Sequence, residues 1–190
     1  MTDNATIRST FERNAQIVMA RPAVAQKTYV TRVHIRDGLT CDIEEGPWTL
    51  TADLSTTAGG NAAGPTPGTL ARAALGSCLA MSYVMWAAQL NVPLHQIAVE
   101  VQADTDLRGM YGADDIPAGY SAVRYVVSVR SPAAPEAIRR VLDMAEAHSP
   151  YVDVFRRPQV LEKITGELLG RPLALSPDHK HTRCNKRSKP

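Results

Sequence analysis

Three cysteines, Cys41, Cys78 and Cys184, are all that this 190-residue chain has, and an odd set cannot close entirely into disulfides within one chain. The opening stretch, MTDNATIRSTFERN, lacks the apolar run that a secretory leader needs. Both absences lead us to expect free thiols in a reducing, cytoplasmic setting. No GxGxxG is present, and no Gly-Lys-Ser/Thr ends the Gly/Ala/Pro loop from Thr57 to Gly68, so no phosphate cradle is read there. A basic footprint is missing too. The formal charge is +2, but residues 178–190 set five Lys and Arg against one Asp, a net +4 that leaves the body at −2. The body is therefore not expected to bind nucleic acid. The tail reads as disordered and solvated, with a polyanion contact as its sharper alternative.

Charge is absent altogether from Ala73 to Leu90, 18 residues that follow a start signal. Thr66 can cap, and Pro67 sits at the first helical position, where its missing N–H costs nothing. Such a helix is expected to be apolar on nearly every side and buried at the centre of a fold. At ~1.5 Å per residue the run would cover roughly 27 Å, slightly short of the ~30 Å of a hydrocarbon core. It also holds Ser77, Ser82 and Gln89 and has no basic flank beyond Arg72, so a soluble core helix is preferred to a membrane span.

Around it the pattern predicts a short helix over Thr10–Ala20, stopped by Arg21-Pro22. Alternation over Thr28–Arg36, a turn at Asp37-Gly38, then Leu39, Cys41 and Ile43, a second turn at Glu45-Gly46-Pro47, and Trp48, Leu50, Ala52 and Leu54 predict a three-stranded meander with one buried face. Strands are expected at Gln96–Ala103 and Ser121–Arg130, joined by a long connection with Asp104, Asp106, Asp114 and Asp115. These aspartates lack EF-hand spacing, so the connection reads as a solvated loop, with a lid or binding loop as the functional alternative. Pro135 opens a helix with Ile138, Val141, Leu142 and Ala145 on one face. His148-Ser149-Pro150 ends it, a helical turn follows at Tyr151–Phe155, and a last strand at Val160–Leu168. The order βββ-α-ββ-α-β is α+β, an antiparallel sheet packed on a long central helix. Residues 1–24 are read as a helical extension, 25–170 as one domain and 171–190 as the basic tail.

Pro67, Leu70, Ala74 and Cys78-Leu79-Ala80-Met81 form the pattern Pro-x-x-Leu-x-x-x-Ala-x-x-x-Cys-Leu-Ala-Met. With the Arg36-Asp37-Gly38 turn, the loop before Pro67 and Ser149-Pro150-Tyr151 in the same order, the chain resembles the osmotically inducible protein C and organic hydroperoxide resistance (OsmC/Ohr) family over approximately Thr28 to Leu168. The resemblance implies an intertwined homodimer with active sites at the subunit interface. It implies reduction of organic hydroperoxides by a peroxidatic cysteine, which Cys78 matches, and a supporting arginine, which Arg36 matches. It also marks two departures. The family's resolving cysteine falls on Ser149, so no Cys78–Ser149 disulfide can form, and the loop from Ser55 to Gly68 lacks the family's supporting glutamate.

The chemistry narrows what Cys78 needs. Thiolate attack cleaves a peroxide, whereas a thiol with an ordinary pKa of ~8.5 is mostly protonated at neutrality. Cys78 lies about three turns inside its helix, beyond effective reach of the dipole, so a cation must approach. Arg36 is the candidate, because Arg72 falls on a different helical face. His148 and His34 are possible supporting groups, Ser149 occupies the vacated thiol position, and His95 looks structural. Met81, Met85, Trp86, Tyr151 and Phe155 offer an apolar wall, or core packing. A second thiol could come from the tail at Cys184, from Cys41, or from an external reductant; Cys41 reads more simply as filling. His179 to Cys184 has loosely metal-like spacing, but a basic tail is the simpler reading, and no metal or cofactor is expected. Two functions stay open: a one-cysteine organic hydroperoxide peroxidase, and a non-catalytic small-molecule-binding or stress-response dimer on the same fold. A Cys78–His148 pair would also suit thioester or ester hydrolysis.

Overall fold

A computed structural model describes residues 3–163 together with 167, 168, 171 and 172. Its backbone falls into two units, Met1–Arg157 and Pro158–Pro190. The first runs α1 (Asn4–Ala20), α2 (Pro22–Ala25), β1 (Arg32–Asp37), β2 (Thr40–Glu45), β3 (Trp48–Ala52), α3 (Pro67–Gln89), β4 (Gln96–Thr105), α4 (Leu107–Met110), β5 (Tyr120–Arg130), α5 (Pro135–Ala147) and α6 (Pro150–Arg156). In the second unit, β6 (Glu167–Leu168) pairs antiparallel with β7 (Arg171–Pro172). The class is α+β with antiparallel sheets, as expected.

The last strand is a correction. Residues 158–163 hold no regular structure, and Val160 and Leu161 are almost fully exposed. Of the strand expected at Val160–Leu168, the described residues that pair are Glu167 and Leu168, with Pro172 and Arg171. α1 also starts earlier than its apolar pattern suggests, because Asp3 caps it by accepting from the Thr6 N–H at 2.7 Å.

α3 is organised as its capping signals require. Thr66 Oγ1 accepts from the Thr69 N–H at 3.2 Å, and Pro67 is the first helical residue. Leu75, Leu79, Tyr83 and Ala87, spaced four apart, form its buried stripe. The stripe packs on the inner face of the β4–β5 pair, where Val99, Val101, Val123, Tyr125 and Val127 project, and on Ala145 of α5 and Val152 of α6. Gly76 permits the close approach, since a Cβ there would meet Val101 Cγ2 at 3.2 Å. Each fully buried leucine contributes roughly 2 kcal/mol, so packing rather than helix propensity holds α3 in place. The expectation of burial on nearly every side is corrected: the Ser77–Met81–Met85 flank faces outward, with Met81 60% exposed. Sheet, α5 and α6 all pack on other faces, and this flank is left open.

The meander forms with Val33, Ile43 and Leu50 in one cross-strand row and Ile35, Cys41 and Ala52 in the next. Both hairpins turn through a glycine at φ +55°, Gly38 and Gly46. Its apolar face is not buried as expected: Ile35 is 60% and Trp48 73% exposed. The three strands make their extended contacts with one another, and among the described residues no helix covers that face. Below it, buried Asp53 accepts from Thr40 Oγ1 at 2.9 Å and from the N–H groups of Leu54, Asn61 and Ala63 at 2.7, 3.1 and 3.2 Å. Burial alone would push its carboxyl up, but these donors hold it below the usual carboxylate range. They tie the loop ahead of α3 to the end of β3, which fixes where α3 begins.

Candidate functional site around Cys78

Cys78 lies about three turns into α3, on the side between the buried stripe and the open flank, and is half-buried. Its Sγ is 3.5 Å from Ser149 Oγ. Ser149 ends the turn after α5 and caps α6, accepting from the Val152 N–H at 3.3 Å with Pro150 in the first helical position. It is only 3% exposed. With the neutral thiol either atom can donate across this contact, whereas toward a thiolate the Ser149 hydroxyl is the donor and can still accept from Val152.

The sulfur opens onto a groove of about 680 Å³ along the open flank of α3. Met81, Met85 and Trp86 of α3 line it together with Pro150 and Tyr151, and Phe11 of α1 lines it beside Trp86. Ser77, Ser82, Tyr151 and His148 supply its polar groups, and among the described residues no Lys, Arg, Asp or Glu lines it. His148 borders it with its ring 4.9 Å from Trp86, and its Nδ1–H donates to the Met144 carbonyl at 2.8 Å, which leaves Nε2 as the basic nitrogen. Trp86 in turn meets Phe11 edge to face at 5.4 Å and 67°.

Behind α3, fully buried Tyr83 donates to Glu146 Oε1 at 3.0 Å. Burial first, and then the hydrogen bond and charge of Glu146, push the Tyr83 phenol far above its ordinary range; burial and Glu146 raise Tyr125 as well. This network braces the end of α5 just before His148 and Ser149.

The remaining candidates lie elsewhere. Arg36, at a bulge in β1, reaches Asp42 Oδ1 at 3.3 Å, and His34 lies 3.8 Å from Asp42 Oδ2. Neither lines the Cys78 groove within this chain. Arg72 donates to Tyr120 Oη at 3.2 Å. Cys41 points its thiol at the Leu39 carbonyl, 3.8 Å away. His95 starts the β4 ladder through its N–H to the Arg130 carbonyl at 2.8 Å. Phe155 borders a second, smaller cavity of about 380 Å³ with Tyr120 and Tyr125. His179 and Cys184 lie outside the described residues, and among those described no group of three or more His, Cys, Asp or Glu is placed to hold a metal ion. Sequence reasoning missed two features. The cap role of Ser149 was legible as Ser-Pro before a helical turn. Phe11 carried no signal, because its partner is 75 residues away along the chain.

Comparison with known proteins bears on the family and the fold. The family model described as OsmC-like protein matches residues 59–162, more than half of the chain. An OsmC-like protein from Mycoplasma pneumoniae superposes with a TM-score of 0.60 at 14% identity, over 69% of this chain and 89% of that one. A hypothetical protein from Aquifex aeolicus VF5 gives 0.56 at 11% identity, over 69% and 89%. An organic hydroperoxide resistance protein from Elizabethkingia anophelis, with thiocyanate bound, gives 0.53 at 14% identity, again over 69% and 89%. At such identities the structural likeness is one of fold. A search of curated protein sequences gives no significant match. The family match spans all of α3 with Cys78, the β4–β5 pair and the α5–α6 corner with Ser149, and the chain therefore belongs to the OsmC-like protein family.

Proposed function

We propose that this protein is a thiol-dependent peroxidase that reduces organic hydroperoxides through Cys78 and relies on an external thiol to complete its cycle. The observation that carries this reading is Cys78 Sγ, 3.5 Å from the Ser149 hydroxyl, at the edge of a largely apolar groove lined among the described residues by no Lys, Arg, Asp or Glu. Cys78 thiolate attacks the terminal oxygen of ROOH, the O–O bond breaks, and sulfur keeps that oxygen as sulfenic acid while the alkoxide takes a proton and leaves as ROH. One external thiol then attacks the sulfenic sulfur and water leaves; a second thiol cleaves the mixed disulfide and regenerates Cys78. Ser149 stabilises the thiolate by donation but has no sulfur with which to resolve the sulfenic acid.

Two copies of the chain form the working unit in this proposal. The open meander face with Val33, Ile35, Trp48 and Leu50 is apolar and flat, suited to burial against a second copy. Arg36 sits beside Asp42 on the other face of that meander, at the bulge after Ile35, and in this proposal the meander of a second copy carries it to the groove as the cation. A cycle resolved by external thiol belongs in a reducing compartment.

Intact-mass analysis after one equivalent of cumene hydroperoxide, with dimedone present, tests the reaction on wild type and Cys78→Ser. A dimedone adduct confined to Cys78, and turnover restored by added thiol when dimedone is left out, is the expected result. If Cys78 stays unmodified over minutes while Cys184 reacts, the catalytic reading is lost and the groove is a binding site.

A further inference from the structure

The groove beside Cys78 is lined, next to Trp86, by a segment that lies outside the matched family residues 59–162. α1 packs along α3, and its Arg8 carbonyl accepts from Gln89 Nε2 at 3.1 Å near the C-terminal end of that helix. One turn further on, Phe11 sets its ring edge against Trp86 at 5.4 Å. Cys78 and Trp86 are eight residues apart on one helix, which separates them by about 12 Å along its axis. The groove thus runs from Ala74 past the sulfur and along Met81 and Met85 to an aromatic wall half built by α1.

Resting on the reading of this groove as the hydroperoxide site, we propose that Phe11 is a specificity-determining residue that sets how long an alkyl chain the groove accepts. A linear hydroperoxide with its peroxy group at Cys78 lays its chain along the methionines toward Trp86. A chain that fills the groove gains contact with every methylene, and one that would pass Trp86 meets Phe11 instead. The methionines adapt to the chain's shape, whereas the edge-to-face aromatic pair is rigid, so the limit falls on length rather than on branching near the peroxide. Selection of this kind changes with the residue at position 11 and leaves the chemistry at Cys78 in place.

The test uses 1-hexanol and 1-decanol, unreactive analogues of short and long alkyl hydroperoxides, so it needs no turnover. Binding is read by Trp86 fluorescence in a Trp48→Phe background of the full chain, with circular dichroism as the folding control. The expected result is a decanol-to-hexanol affinity ratio raised about tenfold by Phe11→Ala, the scale at which small pockets discriminate between chain lengths. Phe11→Trp is expected to lower the ratio. An unchanged ratio, an equal loss for both alcohols, or no saturable binding of either to the parent protein overturns the proposal. Peroxidase assays on the same proteins separate the two readings. Turnover that is insensitive to position 11 in chain-length preference rejects only the wall, whereas length-selective alcohol binding without any turnover rejects only the peroxidase.

Discussion

Replacing Ser149 with cysteine restores a thiol at the point where Cys78 already has a close neighbour, and the structure sets the size of the effect. In Ser149→Cys the two sulfurs start from a side-chain separation near the present 3.5 Å and must close to about 2.05 Å. Small χ1 rotations of both side chains cover that gap, because Cys78 is only half-buried and has room on its groove side. The bridge would join positions 71 apart, and a loop of that length stabilises by about 4 kcal/mol through loss of denatured-state entropy. For a chain of this size that is a rise in Tm of roughly 10 °C. Losing the serine cap costs about 1 kcal/mol, but it affects oxidised and reduced forms of the variant alike and cancels in the comparison. The assay is a thermal melt of Ser149→Cys, in a Cys41→Ser, Cys184→Ser background, after diamide and again after dithiothreitol. Intact mass before melting counts the two hydrogens lost on closure. If diamide leaves both thiols open to alkylation, Cys78 and Ser149 do not face one another, and the site as described is wrong. If the bridge forms with diamide but not with cumene hydroperoxide, the geometry stands and the reactivity of Cys78 does not.

Two further substitutions examine other parts of the argument. Tyr83→Phe removes a buried hydrogen bond to Glu146 and is expected to cost about 2 kcal/mol at neutral pH by urea denaturation. The folded phenol is raised above its unfolded value of about 10, so its contribution is complete below pH ~10 and is lost as pH rises beyond that. Wild type should therefore lose up to about 1.4 kcal/mol per pH unit more than the variant above that point, and parallel curves would contradict the assigned cause. Ile35→Glu places a charge in the exposed apolar face of the meander, where it costs little in a lone chain and much in a buried interface. Light scattering should find a dimer in wild type and a monomer in the variant; a wild-type monomer at micromolar concentration would remove the proposed role of Arg36.

Local chemistry made much of this protein legible before any coordinates. Thr66 and Pro67 announce the start of α3, Gly38 and Gly46 mark the two hairpins, and Val123, Tyr125, Val127 and Val129 alternate because their strand lies on a helix. The class and the special place of Cys78 also follow from residues that act on their neighbours. What the sequence could not carry depended on which faces acquire a covering. The apolar rows of the meander have the pattern of a core face, yet pattern records only that a face avoids water, and the partner that buries it need not be in the same chain. The same holds for α3, whose unbroken apolar run conceals a buried stripe and an open flank. Val160 and Leu161 are apolar by type yet lie almost fully exposed. Ser149 is fixed as a cap by its own Ser-Pro sequence, but its approach to Cys78, 71 residues away, exists only because α5 and α6 pack against α3. Phe11 joins the groove for the same reason. Capping, turns and periodicity are short-range and are written along the chain, while the site is a meeting of distant segments that only tertiary packing brings together.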